Sequence, residues 1–325
     1  MRLIRNFSTA LVLMLLLGCT MENSTKTLRL GHGLDVSHSV HKAMVKMGED
    51  LLQRSGGKLK LEIYPSQQLG TERECLELLQ IGSLDMTKVS VGVLENFAPK
   101  MTVLGLPFLF RDRQHSFDVL DGPIGEELLN DGNKYWLKGL GYYDAGSRSF
   151  YTMNKPIHTP DDLKGQKIRV MESATAVRMV QELGGSPTPI SWGELYTSLQ
   201  QGVVDGAENN PPSFYLSRHY EVCKYYSLDE HTVLPDVLLM GTYVWDKLSE
   251  QEQKWLTESV TESVKYQRVL WAEAEAEALR EVEKAGVEII RPDKTLFADK
   301  VADILESYKG DNEIYPLIKQ IQETK

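Results

Sequence analysis

Residues 58–93 (KLKLEIYPSQQLGTERECLELLQIGSLDMTKVSVGV) decide the fold class, because they predict a strand, a helix and a second strand in that order. Residues 58–64 alternate apolar and polar side chains, which is typical of a strand with one buried face. Thr71 and Glu74 have the spacing of a capping box, which predicts that a helix begins there. Residues 84–93 are apolar enough for a second strand. This order predicts a parallel sheet with helices on both faces.

Elements on both sides extend this pattern into two α/β units. Before the stretch, the spacing of apolar residues predicts a strand at 28–30 and a helix at 39–52. A second unit begins near residue 142, with these predicted elements: a strand through Arg148 and Tyr151, a strand at 167–171, helices at 173–183 and 192–202, and a strand at 203–207. Because the chain is longer than one hydrophobic core usually supports, we expect two lobes.

A long charged helix is predicted after the second unit. Ser249 and Glu252 form another capping-box pattern, and apolar residues continue at helical spacing until about Lys284. The acidic run inside this segment is typical of a solvated helix face. A helix of this length can cross both lobes.

Residues 1–18 are predicted to be a signal peptide. Arg2 and Arg5 precede a short apolar run at 10–17, which is the anatomy of a secretory signal. Residues 16–19 (LLGC) have the pattern of a bacterial lipobox, which predicts lipidation of Cys19 and a polar tether at 19–26. An ordinary signal with an incidental cysteine is the alternative. We therefore expect export to the periplasm and attachment to a membrane by an acyl anchor.

Charge and cysteine content exclude several classes of partner. The formal net charge is −10, which argues against nucleic acid, because nucleic-acid binding needs a basic surface. Beyond the signal, Cys75 and Cys223 are predicted to be buried free thiols, although an oxidising compartment also permits a disulfide. The sequence has no CxxC or Cys/His cluster of the kind that binds a metal, and no cofactor is predicted.

A search for enzyme motifs favours a non-catalytic protein. The sequence contains no GxSxG, HExxH or Walker A pattern, and Gly31-His32-Gly33 lacks the third glycine of a dinucleotide fingerprint. Asp161 and Asp162 lie in a proline-containing turn, where capping is their ordinary role. A sugar-acid-modifying enzyme and a signalling receptor are the alternatives from other classes.

Arg169 is the strongest candidate for ligand binding. It lies in the alternating segment 167–170 (KIRV), where its side chain is expected on the face opposite Ile168 and Val170. Ligands of open α/β sheets bind at strand ends, and a guanidinium offers a planar fork that fits a carboxylate. A structural salt bridge is the alternative.

Four separated motifs resemble the extracytoplasmic solute receptors (DctP-type) of TRAP transporters: residues 64–70 (YPSQQLG), 82–85 (GSLD), 154–170 (NKPIHTPDDLKGQKIRV) and 194–209 (ELYTSLQQGVVDGAEN). The resemblance runs from about Leu28 to the C-terminal helices. It implies a two-lobed α/β binding-protein fold with a ligand cleft, crossover hinge strands and a long helix spanning both lobes. It also implies a membrane permease as partner. The expected lobe I is residues 27–146 plus 235–274, and lobe II is 147–234 plus 275–325.

The resemblance assigns five residues to the cleft. Arg169 matches the family's carboxylate-binding arginine, and Arg148 matches a second cleft arginine. Asn209 matches an asparagine that bonds the same carboxylate. Trp192 falls where many members place an aromatic ring, and Ser90 falls on a first-lobe strand that supplies a polar contact. These matches imply a carboxylate clamp with two positive forks.

The rest of the candidate cleft is polar, which favours a hydroxylated acid. The further candidate contacts are His32, His38, Glu72, Lys88 and Asn210. The run at 208–214 resembles the hexuronate-binding branch, so glucuronate or galacturonate is the predicted ligand. A C4-dicarboxylate, a keto acid or another sugar acid is the alternative.

Each of the first-lobe residues also has a structural interpretation. His38 is placed to cap a helix, His32 to support a strand end, Glu72 to interact with a helix dipole and Lys88 to pair with a nearby acid. His231 and Asp236, where the chain returns to the first lobe, are weaker candidates for ligand contacts.

Overall fold

The computed structural model describes residues 25–325. The predicted signal peptide, the predicted lipidation site Cys19 and most of the predicted tether lie outside the described residues. Within 25–325, no helix combines the length and the apolar character needed to cross a membrane.

The elements up to the first crossover are β1 (Lys26–Gly31), α1 (Ser39–Arg54), β2 (Leu59–Tyr64), α2 (Glu72–Gln80), β3 (Met86–Ser90), α3 (Val91–Leu94), α4 (Arg113–Leu120), α5 (Pro123–Asp131) and β4 (Leu137–Tyr143). The second unit consists of β5 (Ser147–Thr152), β6 (Lys167–Val170), α6 (Ala174–Glu182), β7 (Ser186–Pro189), α7 (Leu195–Gln200), β8 (Gly206–Asn209), α8 (Pro211–Leu216) and β9 (Tyr225–Val233). The remaining elements are β10 (Asp236–Gly241), α9 (Thr242–Trp245), α10 (Glu250–Lys284), β11 (Glu288–Ile290), α11 (Lys294–Glu306) and α12 (Ile314–Glu323).

The strands form two sheets, with the orders β2-β1-β3-β10-β4 and β11-β9-β5-β8-β6-β7. The predicted parallel pairing holds for β1 with β2 and β3, and for β6 with β7 and β8. Both sheets also contain antiparallel pairs. β10 is antiparallel to both of its neighbours, and β5 is antiparallel to β8 and β9. The reason is that the chain crosses between the sheets twice and so re-enters the first sheet from its other end.

Two boundaries differ from the sequence-based expectation. The strand predicted at 84–93 ends at Ser90, because the backbone N–H of Val91 donates to the Pro235 carbonyl (3.1 Å) and the chain turns into α3. The strand predicted at 203–207 forms later, as β8. Gly202 adopts a positive φ of 68° and Val203 is largely exposed, so the residues before Gly206 belong to the turn.

The long helix α10 spans both lobes, as predicted. Its N-terminus has the expected reciprocal cap: Ser249 Oγ accepts from the Glu252 N–H, and the Glu252 carboxylate accepts from the Ser249 N–H. Toward its middle, α10 packs on α1 and β4 of the first unit, and it also packs on α8 of the second. The helix therefore buries one continuous stripe against both units.

The first crossover, residues 144–146, is fixed to α10. The Gln267 side chain accepts from the Asp144 N–H (2.9 Å) and donates to the Asp144 carbonyl (2.7 Å). Gly146 has φ of +60°, and a Cβ there would lie 3.0 Å from Trp271 Nε1. A glycine is required because the backbone is left-handed and the indole ring packs against it.

The C-terminal helix packs on the first unit. α12 contacts α5 and the 3₁₀ segment Pro99–Gly105, and the His115 ring bonds the Ile321 carbonyl (2.8 Å). Arg111 donates to the carbonyls of Gln322 and Thr324. The expected lobe II limit of 275–325 therefore does not fit this helix. We propose that the lobes are divided as predicted, except that α12 belongs to lobe I. The order of elements along the chain could not show this placement.

Candidate ligand-binding site

A cavity of about 740 Å³, including the solvent at its mouth, lies between the two sheets. Side chains from both units and from α10 line it. It contains nine of the ten predicted ligand-binding residues: Glu72, Lys88, Ser90, His38, Arg148, Arg169, Trp192, Asn209 and Asn210. Its size and mixed lining are typical of a small-molecule site.

Arg169 is buried and has no acidic partner within the described residues. It is 2% exposed, and its Nε donates to the Ile190 carbonyl (2.8 Å). Its Nη1 has no hydrogen-bond partner in residues 25–325. Its guanidinium lies 5.9 Å from the centre of the Trp192 ring. Burial lowers the pKa of Arg169, because the charge is removed from water without a full counter-charge. The predicted alternative of a structural salt bridge is therefore not what the structure shows.

Arg148 is already paired inside the protein. Its Nε and Nη2 bond the Glu208 carboxylate, with Nη2 to Oε1 at 2.8 Å. Its Nη1 donates to Asn209 Oδ1 (2.9 Å). Burial opposes the charge of Arg148, but the ion pair with Glu208 raises its pKa. Of the two positive forks that the resemblance implied, the Arg148 fork is directed at Glu208, and Arg169 is the one without an acidic partner in residues 25–325.

The two asparagines each keep an amide donor. Oδ1 of Asn209 accepts from Arg148 and from the Asn210 N–H (2.8 Å), so its Nδ2 group is oriented by both bonds. Asn210 caps α8, with its Oδ1 accepting from the Ser213 N–H (2.9 Å). The cap likewise uses the oxygen and leaves the Nδ2 group as a donor.

The first-lobe wall carries one cation and two acids. Lys88 Nζ lies 3.1 Å from Glu72 Oε1 and 3.0 Å from Asp236 Oδ2, as the structural interpretation of Lys88 predicted. The Ser90 N–H donates to Glu72 Oε2 (3.2 Å). Burial raises the pKa of Asp236. All four residues line the cavity, and carboxylate oxygens at such a wall are able to accept hydrogen bonds from hydroxyl groups.

The three histidines of interest have different positions. His32 does not line the cavity. Its Nδ1 accepts from the Leu34 N–H (3.1 Å) and its Nε2 bonds His41 (3.0 Å), so it supports the strand end. His231 also lies outside the cavity, bonded to Asp229 Oδ2 (2.8 Å). His38 lines the cavity and caps α1 at the same time. The structure therefore places His32, a predicted ligand contact, outside the cavity lining and in the strand-end role that was its structural interpretation.

Among the cavity residues that sequence reasoning missed, Gln67 and Trp271 carry polar atoms that can bind a ligand. Gln67 lies within the motif at 64–70 that carries the resemblance. Trp271 is fully buried on α10, within a segment that alternates alanine and glutamate. A tryptophan inside a charged helix was the available signal. Its position could not be assigned because helical spacing alone does not say what the buried stripe faces.

Buried histidines give a testable pH dependence of stability. Burial lowers the pKa of His32 to about 2 and the pKa of His38 and His219 to about 3. Burial alone would lower the pKa of His231, but Asp229 raises it to about 9. A histidine in the unfolded chain has a pKa near 6.5. Below that pH, these four histidines therefore bind about three more protons in the unfolded chain than in the folded chain. Between that pH and pH 9, they bind about one more proton in the folded chain, on His231.

We expect the free energy of unfolding to be greatest near pH 7. Each proton by which the folded and unfolded states differ changes the free energy of unfolding by about 1.4 kcal/mol per pH unit. The free energy of unfolding therefore falls steeply toward pH 5 and gently toward pH 9. Urea unfolding at pH 5, 7 and 9 measures this. A flat curve between pH 5 and pH 7 would contradict the burial of neutral imidazoles.

Two α/β units joined by paired crossovers, with a buried arginine in the cavity between them that has no acidic partner in residues 25–325, are the features of a two-lobed solute-binding protein. The model of the DctP family, described as "Bacterial extracellular solute-binding protein, family 7", matches residues 30–311, and the chain belongs to this family.

Solved structures of TRAP periplasmic solute-binding proteins are similar over nearly the whole chain. A protein from Bradyrhizobium sp., in complex with galacturonate, is 42% identical with a TM-score of 0.90; the match covers 92% of this chain and 100% of that one. A protein from Xanthobacter autotrophicus with bound galacturonate is 40% identical, with the same coverage and a TM-score of 0.89. A protein from Pseudomonas putida with bound glucuronate is 34% identical, covers 92% and 98%, and has a TM-score of 0.89.

Proposed function

We propose that this protein captures a hexuronate, glucuronate or galacturonate, outside the cytoplasm and delivers it to the membrane permease of a TRAP transporter. The observation that carries the proposal is Arg169, a buried cation without an acidic partner in the described residues, placed in the cavity between the lobes. A ligand carboxylate supplies the missing charge and accepts two parallel hydrogen bonds. The three related structures above contain uronates, which supports this ligand class.

The charge distribution favours a sugar acid over a dicarboxylate. Opposite Arg169, the wall contains two carboxylates, Glu72 and Asp236, for one Lys88. A second ligand carboxylate there would meet two acids of the same sign, whereas hydroxyl groups would donate to them. The neutral His38 adds no positive charge to this wall.

Direct contacts between the lobes support a mechanism in which the cleft closes on its ligand. The Glu95 carboxylate of the first unit accepts from Ser173 Oγ (2.7 Å), Thr175 Oγ1 (2.7 Å) and the Thr175 N–H (3.1 Å) of the second. Asn96 Nδ2 donates to the Glu172 carbonyl (2.6 Å). Closure of this kind excludes water and strengthens the electrostatic contacts to a bound acid.

A thermal-shift series tests the ligand class. We expect glucuronate or galacturonate to raise the melting temperature, because a ligand that binds only the folded state stabilises it by about 2.7 kcal/mol at 100 times Kd. For a chain of this size that corresponds to a shift of roughly 5 °C. Glucose and galactose are matched controls that lack the carboxylate and should give no shift. A response to succinate or pyruvate alone would contradict the hexuronate proposal.

We further propose that the protein binds its ligand without converting it. NMR of a uronate incubated with the protein should show the unchanged sugar acid, and a new product would instead support the enzyme alternative. Attachment to a membrane through Cys19 is likewise a proposal from residues 16–19 alone, and the mass of the exported chain tests it.

A further inference from the structure

Several buried polar atoms without partners belong to residues that line the cavity. Within residues 25–325, seven buried side-chain nitrogen or oxygen atoms have no hydrogen-bond partner. Four of them belong to residues that line the cavity: Arg169 Nη1, Gln67 Nε2, His38 Nε2 and Trp271 Nε1. Leaving such a group unpaired costs about 1–3 kcal/mol, so their shared location indicates positions that a ligand satisfies. Arg169 is accounted for by the ligand carboxylate.

The proton positions on His38 and Trp271 follow from chemistry. His38 Nδ1 lies 3.2 Å from the Val40 N–H, and because a backbone N–H can only donate, Nδ1 must be the unprotonated acceptor. The remaining nitrogen, Nε2, therefore carries the hydrogen of the neutral ring. Burial, together with Lys88, lowers the pKa of His38 to about 3, which agrees with a neutral ring. The indole Nε1 of Trp271 is a donor only.

Neither of these two donors belongs to the second unit, which carries Arg169. His38 precedes α1 in the first unit, Trp271 belongs to α10, and their ring centres are 5.8 Å apart. Arg169 lies on β6 of the second unit. Asp236 and Glu72 supply acceptors on the same first-lobe wall. A hydroxyl group suits this combination, because its oxygen can accept two hydrogen bonds while its hydrogen is donated to a carboxylate.

We propose that His38 and Trp271 form a donor pair that recognises an oxygen of the hydroxylated part of the ligand and thereby selects sugar acids over short unsubstituted acids. The proposal rests on the proposed function for the identity of the acid. It assigns specificity to a helix-cap histidine and to a tryptophan of the lobe-spanning helix. Both residues also pack, so the test must separate the loss of a donor from the loss of packing.

Two substitutions remove a donor while keeping the structural role. Trp271→Phe keeps an aromatic ring and loses the N–H. His38→Asn keeps an oxygen that caps α1, because asparagine is among the best N-cap residues, and loses Nε2–H. Trp255→Phe is the matched control, since Trp255 lies on the same helix, outside the residues that line the cavity. Calorimetry with glucuronate, galacturonate, their monodeoxy analogues and pyruvate gives the affinities.

We expect each donor variant to bind the preferred uronate roughly 10-fold more weakly, the factor that corresponds to one unpaired donor. One monodeoxy analogue should bind the wild type about 10-fold more weakly than the uronate does, because it lacks the oxygen that the donors bind. The affinity of that analogue should be the same in the donor variants as in the wild type. The unliganded variants should melt within about 2 °C of the wild type, because the donors are unpaired without ligand.

Two results would overturn the donor pair. The first is uronate binding within twofold of wild type in both Trp271→Phe and His38→Asn. The second is an equal loss for pyruvate and for the uronate, which would show that the substitutions act on the carboxylate clamp or on closure.

If the wild type binds no hexuronate, the proposed function fails separately. The donor-pair test then continues with the acid that does bind, and a best ligand with no oxygen beyond its carboxylate would refute the pair.

Discussion

Replacement of Arg169 with alanine is expected to abolish uronate binding and to leave the unliganded protein folded. In the variant, the ligand carboxylate would enter the cavity without the guanidinium that neutralises it, and an unpaired buried charge costs about 3–5 kcal/mol. That is a loss of roughly two to four orders of magnitude in affinity. The free protein should keep its stability or gain some, because the substitution removes a buried cation that has no acidic partner in the described residues. Calorimetry and thermal melting measure the two effects.

The conservative and control substitutions make this prediction specific. Arg169→Lys should also bind poorly, because an ammonium cannot form the two parallel bonds of a guanidinium. Arg178→Ala, on α6, removes a guanidinium that bonds Ser307 and lies outside the cavity lining, so its affinity should be unchanged. Near-normal affinity of Arg169→Ala would show that the carboxylate binds elsewhere.

Replacement of Glu208 with glutamine is expected to give the largest loss of stability. Glu208 is 1% exposed, bonds Arg148 through both oxygens, and lies 3.5 Å from His231 Nε2. His231 in turn bonds Asp229. Burial alone would raise the pKa of Glu208, but Arg148 and His231 hold it at about 2. The four groups form a buried network with two positive and two negative charges.

The variant would keep both cations of this network and lose one anion. Breaking a buried pair from one side costs about 3–5 kcal/mol, which for a protein of this size lowers the melting temperature by roughly 5–8 °C. Asp161→Asn is the control: its pair with Lys164 is exposed, so we expect a change of less than about 1 kcal/mol. Urea unfolding at pH 7 compares the two. Equal effects would mean that the buried network contributes no more than a surface pair.

The Arg148 network also bears on how the proposed carboxylate clamp would work. Because Glu208 holds the Arg148 guanidinium and Arg148 holds the Asn209 oxygen, the Asn209 amide is oriented by a chain of buried bonds. The network is thus placed to keep a donor of the clamp in position. Arg169 is the cation that remains for the ligand.

Local patterns in the sequence determined the elements that carry the fold. The capping boxes at Thr71 and Ser249 set where α2 and α10 begin, because a cap depends on side chains three residues apart. The alternation around Arg169 placed its side chain opposite Ile168, because side chains of a strand point to alternate faces. The motifs of the resemblance supplied the family, which the matched model confirms.

The tertiary structure alone decided which groups of the site meet. Arg148 and Glu208 are 60 residues apart and come together because β5 pairs with β8, where Ser149 lies opposite Asn209. Trp271 reaches the cavity because α10 packs across both units, and α12 returns to the first unit after α11. His32 turns into the protein to bond His41. The sequence by itself therefore determined most of the helices and strands and the face of its strand on which Arg169 lies, since these follow from neighbours a few residues away. That Arg169 has no acidic partner in residues 25–325 was decided by the tertiary structure. The partners of the other charged groups in the site were decided by the pairing of strands within the sheets. A hydrogen bond depends on the distance between two groups in space and not on their separation along the chain.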